Sequence, residues 1–192
     1  MIFSDHCLMT PFWMNWRCEG KMANKICFYL AEGECEEKLL KALKQNPPLI
    51  TPGRVKKFNL IQNELRPSHL MTFPAEARVV LVYDTDKEIT DHLRRNLDLL
   101  NSQYASVEVI TVPQVLNFED EIERSTDVTK AQDLTQSTNT RDFKSAVNRM
   151  KEADFRRTLK RHKLEIEKLW SLKPPKQFSF TKQQSAEIKI KK

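Results

Sequence analysis

The sequence predicts an α/β fold: a mostly parallel four-stranded sheet flanked by helices, with a helical C-terminal portion. Three observations predict it. The runs Ile26-Cys-Phe-Tyr-Leu-Ala31 and Arg78-Val-Val-Leu-Val-Tyr83 are nearly continuous in apolar strand formers, as befits strands covered on both faces. Apolar residues at helical spacing follow each run, Leu39, Leu40 and Leu43 after the first and Ile89, Leu93, Leu97 and Leu100 after the second. Beyond Pro113 strand signals fade and short helical stripes take over. Strands alternating with helices make a parallel sheet with right-handed crossovers the economical arrangement.

In chain order, a first strand over 26–31 leads through a tight turn into a helix over 36–43, which Pro47, Pro48 and Pro52 end because proline cannot continue the hydrogen-bond ladder. A second strand is expected over 55–61. Residues 63–73 form a polar connector interrupted by Pro67, ahead of the strand 78–83, a helix and a fourth strand over 106–112. Helices are then expected over 115–124, 129–134, 142–150, 155–162 and 164–172, with a further short strand over 177–180. The expected organisation is an N-terminal extension over 1–21, an α/β domain over 22–114, a helical portion over 115–172 and a basic tail over 173–192. Met22 stands where the folded unit is expected to begin.

The 192 residues are 40% hydrophobic and 30% charged, a composition that suits a globular chain with one main core. No apolar run reaches the length of a bilayer crossing, and the N-terminus lacks the pattern of a secretory signal. Cys7, Cys18, Cys27 and Cys35 are too few and irregular for a disulfide framework, so a cytoplasmic protein with free thiols is expected. Cys7, Cys18 and His6 lack the paired short spacings of a structural zinc module. The net charge of +6 is polarised: residues 1–140 carry 16 basic and 20 acidic side chains, residues 141–192 carry 16 and 6. Such a chain can hold a cation at its acidic end and a polyanion at its basic end.

In an open parallel sheet, ligands bind beyond the carboxyl ends of the strands. The residues that follow the two clearest strands are acidic: Glu32, then Gly33, after the first, and Asp84 and Asp86 after the third. Alternate spacing lets Asp84 and Asp86 project to one side of an extended segment. Carboxylates gathered at one sheet edge repel one another unless a cation neutralises them, and hard oxygen donors suit Mg2+ or Mn2+. Glu34, Glu36 and Glu37 could supplement these carboxylates, and they also sit where acidic residues favour a helix N-terminus, the preferred reading of Glu36 and Glu37. Glu119 and Glu121, soon after the fourth strand, are candidate ligands for a second metal or members of a solvated helix face.

At these residues the chain resembles the Toprim family. A strand followed by "AEGE" is similar to the family's strand-Glu-Gly motif, and "LVYDTDKE" to its Asp-x-Asp motif; the resemblance spans roughly 22–112. The closer likeness is to small Toprim nucleases of the overcoming-lysogenization-defect and RloB-like groups, where "EGECEEKLL" resembles a Glu-Gly-x-x-Glu helix entry. The glycine that topoisomerases place after Asp-x-Asp is absent. The resemblance implies a metal-dependent phosphodiesterase on DNA or RNA, of a kind found in antiphage systems and mobile elements, sometimes beside an ATPase or other protein partner. It implies Glu32 as general acid or base, with Asp84 and Asp86 holding the metal.

For substrate, Arg156, Arg157, Lys160, Arg161 and Lys163 crowd one helical stretch, where spacings of three and four align several on one face toward successive phosphates. Trp170, Phe178 and Phe180 lie close by, and their expected place is the core. Two other readings stay open: a catalytically silent module of the same fold that binds nucleic acid or protein, and a phosphoacceptor or nucleotide-binding domain using the same acidic cluster.

Overall fold

The structure, a computed structural model, describes residues 26–73, 76–88, 90–103 and 107–190. The N-terminal extension, the start near Met22, the His6, Cys7 and Cys18 set, and the positions of Ile89 and Ser106 lie outside the described residues.

Four strands, β1 (Cys27–Ala31), β2 (Gly53–Lys57), β3 (Arg78–Asp84) and β4 (Glu108–Gln114), form one all-parallel sheet in the order β2-β1-β3-β4. The helices are α1 (Glu34–Leu43), α2 (Pro67–Leu70), α3 (Asp91–Gln103), α4 (Phe118–Ser125), α5 (Thr140–Arg149) and α6 (Glu152–Arg161).

Strand alternation sorts the side chains into two layers. Cys27, Tyr29, Ala31, Val80, Val82, Ile110 and Val112 face a core shared with α1, α4, α5 and α6. Phe28, Leu30, Val79, Leu81 and Tyr83 face a second core with α3 and residues 60–73. The helical portion is therefore the sheet's second covering layer rather than an appendage. β2 ends earlier than expected, because after Lys57 the chain turns to place Leu60 and Ile61 beneath the sheet. Its first residue must be glycine: a Cβ on Gly53 would stand 2.3 Å from the carbonyl oxygen of Cys27, its partner across the ladder.

Three expectations are corrected. Residues 164–172 form turns instead of a helix, since Lys163 and Trp170 adopt left-handed backbone, although Ile166, Leu169 and Trp170 are buried as their stripe required. The expected strand over 177–180 is a 3-10 turn, Lys176–Phe178. The tail is packed through Ile190: Phe178 and Ile188 are fully buried, and Gln184 and Lys182 bond to Thr111 along the outer edge of β4. Trp170 and Phe178 belong to the core, and Phe180 lies half-buried beneath the guanidinium of Arg94, 3.7 Å from its ring centre. Among the described residues no helix is long and apolar enough to cross a membrane.

Candidate functional site

The order β2-β1-β3-β4 puts the topological switch point between β1 and β3, because the chain leaves β1 for one neighbour and returns on its other side. Glu32 and Asp84 stand there. The Glu32 amide donates to Val82 O (3.1 Å), tying the end of β1 to β3, and its carboxylate bridges the two adjoining strand exits. Oε1 accepts from Asn59 Nδ2 (3.1 Å) beyond β2, and Oε2 accepts from the Asp84 backbone amide (2.9 Å).

Between Asp84 and Asp86, Thr85 is buried and clamped to the end of β4. Its amide and hydroxyl each donate to Gln114 O at 3.0 Å, and its hydroxyl accepts from the Leu116 amide at 3.0 Å. With Thr85 facing β4, Asp84 and Asp86 both line one cavity of about 680 Å3, together with Glu32, Gly33, Glu34 and Glu36. Glu32, Asp84 and Asp86, the sequence-predicted trio, thus line one cavity.

Glu36, assigned from sequence to the helix dipole, is a buried member of the same pocket. Gly33 makes room for it. Its backbone is extended (φ −132°), so it serves no left-handed turn, but a Cβ there would meet Glu36 Oε2 at 2.6 Å. The Glu-Gly-x-x-Glu helix entry, Glu32 to Glu36, carried this signal: the chain turns at Gly33 from the end of β1 into α1, and Glu36 lies in the first turn of that helix.

Burial sets the electrostatics, and like charge amplifies it. Desolvation, followed by the charges of Glu36, Glu32 and Asp86, pushes Asp84 up to about 9. Desolvation raises Glu36 to about 7, with Glu32 and Glu119 adding to it. Glu32 is raised by burial against the opposing pull of the Asp84 amide, Lys87 and Asn59.

Positive charge arrives from three directions. Lys57 at the end of β2, Lys87 after Asp86, and Lys144 on α5 line the cavity, along with Phe58 and Asn63. Lys57 pairs with Glu34 (2.8 Å) and Lys144 with Glu119 (3.0 Å). These lysines were not singled out from sequence, because isolated lysines on separate elements have no linear pattern.

Two sets are placed elsewhere. Glu121 is completely buried and its carboxylate is fully engaged: Oε1 accepts from Arg124 (2.6 Å) and the Val115 amide (3.2 Å), Oε2 from the Trp170 amide (2.8 Å). It is a structural hub rather than a metal ligand. Glu119 does not line the cavity, which it touches through Lys144.

None of the basic set of α6 and the turn after it lines the carboxylate pocket, and Arg156 is held at the far end of α1. Arg156 donates to Leu43 O (3.3 Å) and Pro47 O (2.9 Å), at the C-terminal end of α1, whereas the pocket surrounds the N-terminus of that helix, about 15 Å away for ten residues. Arg157 pairs with Asp154 and Lys163 with Asp127 (3.3 Å); Lys160 and Arg161 are exposed.

The donor set suits a hard cation. Asp84 Oδ1 is buried without a hydrogen-bond partner, beside carboxylates whose repulsion such a charge would relieve. Among the described residues no three Asp, Glu, His or Cys side chains are already gathered as a metal cluster. Mg2+ does not demand one, since it keeps several waters and is often held by one or two carboxylates plus a substrate phosphate. No family model, curated protein or solved structure matches the chain.

Proposed function

We propose that this chain is a Toprim-like, Mg2+- or Mn2+-dependent phosphodiesterase that cleaves nucleic acid, DNA or RNA. The observation that carries the reading is Asp84, whose Oδ1 is buried without a hydrogen-bond partner at the wall of a pocket that Glu32, Glu36 and Asp86 also line. The arrangement of Glu32 after β1 and Asp84 and Asp86 after the adjacent β3 supports the Toprim-like assignment. Asp84 and Asp86 would hold the metal, with Glu36 beside them. When bound, it supplies Lewis-acid polarisation of the phosphate and lowers the pKa of a coordinated water. Glu32, whose pKa burial raises above its ordinary value, is the member of the set suited to take or return a proton. Lys57, Lys87 and Lys144 offer the pocket's cations to phosphate oxygens.

The test is cleavage of DNA and RNA with and without Mn2+, in wild type and in Glu32→Gln and Asp84→Asn. Both variants are expected to remain folded and lose about 100-fold or more in rate. Undiminished cleavage in a chelator, or active variants, would overturn the reading.

A catalytically silent module is the second reading, favoured by the engagement of both Glu32 oxygens with protein donors. It predicts nucleic-acid or protein binding that is independent of metal and equal in wild type and variants.

A further inference from the structure

Most buried polar side chains around the strand ends are satisfied. Thr85 bonds to Gln114 O and the Leu116 amide, Thr111 to Lys182 O, Ser125 to Glu121 O, and Ser185 to Trp170 O. Tyr83 Oη and Asp84 Oδ1 at the end of β3 lack a hydrogen-bond partner, and at the end of β4 so does the whole side-chain amide of Gln114. Gln114 is completely buried, yet neither Nε2 nor Oε1 of its amide has a hydrogen-bond partner. An amide in that condition forfeits its hydration without compensation, and a side chain of the same shape without polar atoms would suit a purely structural position better.

Its placement explains why a polar group stands there. Gln114 is the last residue of β4 and the ladder partner of Asp84, the last residue of β3. Val80 and Val82 on one strand and Ile110 and Val112 on the other point into the core beneath α1, and alternation carries Asp84 and Gln114 to that same face. The two unsatisfied side chains are therefore cross-strand neighbours, one an orphan carboxylate oxygen and the other an orphan amide. The main chain of Gln114 meanwhile holds Thr85, so a single residue grips the Asp84-Thr85-Asp86 segment from behind.

We propose that Gln114 is the positioning residue of the cation site: its side-chain amide, the cross-strand neighbour of Asp84, donates to that carboxylate when a cation is held and so sets which oxygen is presented to the pocket. The inference rests on the metal-dependent reading of the pocket. It gives Gln114 no contact with substrate or reacting atoms, since it is closed off from solvent. Hydrogen bonds that hold a metal's ligands govern affinity strongly, and their loss typically weakens binding about 10- to 100-fold.

The experiment compares wild type and Gln114→Met by thermal unfolding and by calorimetric titration with Mn2+. Methionine keeps the length and apolar fit while removing the donor. The expected result is a metal-free Tm equal to or above that of the wild type with Mn2+ affinity at least about tenfold weaker. A purely structural residue would give the opposite pair, altered stability with unchanged affinity. In the wild type, the Gln114 side-chain amide resonance in a 15N-resolved spectrum is also expected to shift as Mg2+ is added, a readout that does not depend on the variant folding. Mn2+ affinity within twofold of wild type in a folded variant, or an amide resonance unmoved by saturating Mg2+, overturns the role of Gln114 alone. A wild type that binds neither ion overturns the metal reading, and this inference with it.

Discussion

Asp84 and Glu36 hold their protons well above the usual carboxylate range, to about 9 and about 7, because burial and neighbouring carboxylates oppose ionisation. In the unfolded chain such groups ionise near pH 4. Between about pH 4 and 9 the folded state therefore binds more protons than the unfolded one, and metal-free stability falls as pH rises. Metal-free Asp84→Asn is expected to match the wild-type Tm near pH 4 and exceed it at pH 8, by about 2–4 °C for each kcal/mol of strain removed. If the pocket holds Mg2+ as proposed, the added ion is expected to stabilise the wild type more at pH 8 than at pH 6, because its ligands must first lose protons. Thermal scans across that range check both. An Asp84→Asn profile parallel to wild type would place the source of the pH dependence elsewhere.

At the scale of elements, the ends of β1 and β3 were legible because a buried parallel strand announces itself as an apolar run and the residue after it is one position away. The basic stretch of α6 was legible as a helix, with Phe155 and Leu159 buried as its spacing requires, but its location was not. Nothing local to α6 encodes that it docks by Arg156 onto the far end of α1. The pocket's own cations were invisible for the converse reason, being single lysines on β2, on the loop after β3 and on α5. This geometry separates the two sets experimentally. If the chain binds nucleic acid as proposed, charge reversal at Lys160 and Arg161 is expected to change the affinity by less than about twofold, and Lys57→Glu with Lys87→Glu to weaken it about tenfold at the same salt. Titrations at one fixed ionic strength decide between them, and the reverse ranking would restore α6 as the docking surface.

For the molecule as a whole, the C-terminal segment behaves as part of the fold. Phe178 and Ile188 are completely buried, each worth about 1.5–3 kcal/mol against a total domain stability of about 5–15 kcal/mol. The same segment satisfies Thr111 and shields the β4 edge from pairing with another chain. A chain ending at Lys173 is accordingly expected to lose cooperative unfolding and to aggregate, as calorimetry and light scattering would register. Unfolding within about 3 °C of the full chain would show that the segment is dispensable. From sequence it read as a tail because its apolar residues are spaced by neither two nor 3.6, following instead the irregular path of a cover over a sheet.

The wall that α5 contributes to the pocket has a consequence for how the protein comes into being. Asn148 Nδ2 reaches Glu34 Oε2 at 3.2 Å across 114 residues of chain, and Lys144 enters the same cavity from the same helix. During synthesis the strands that carry the acidic residues leave the ribosome well before that helix does. A nascent chain holding only the sheet therefore exposes a cavity that lacks one wall, and the finished receptacle arises only when the late-made helix docks.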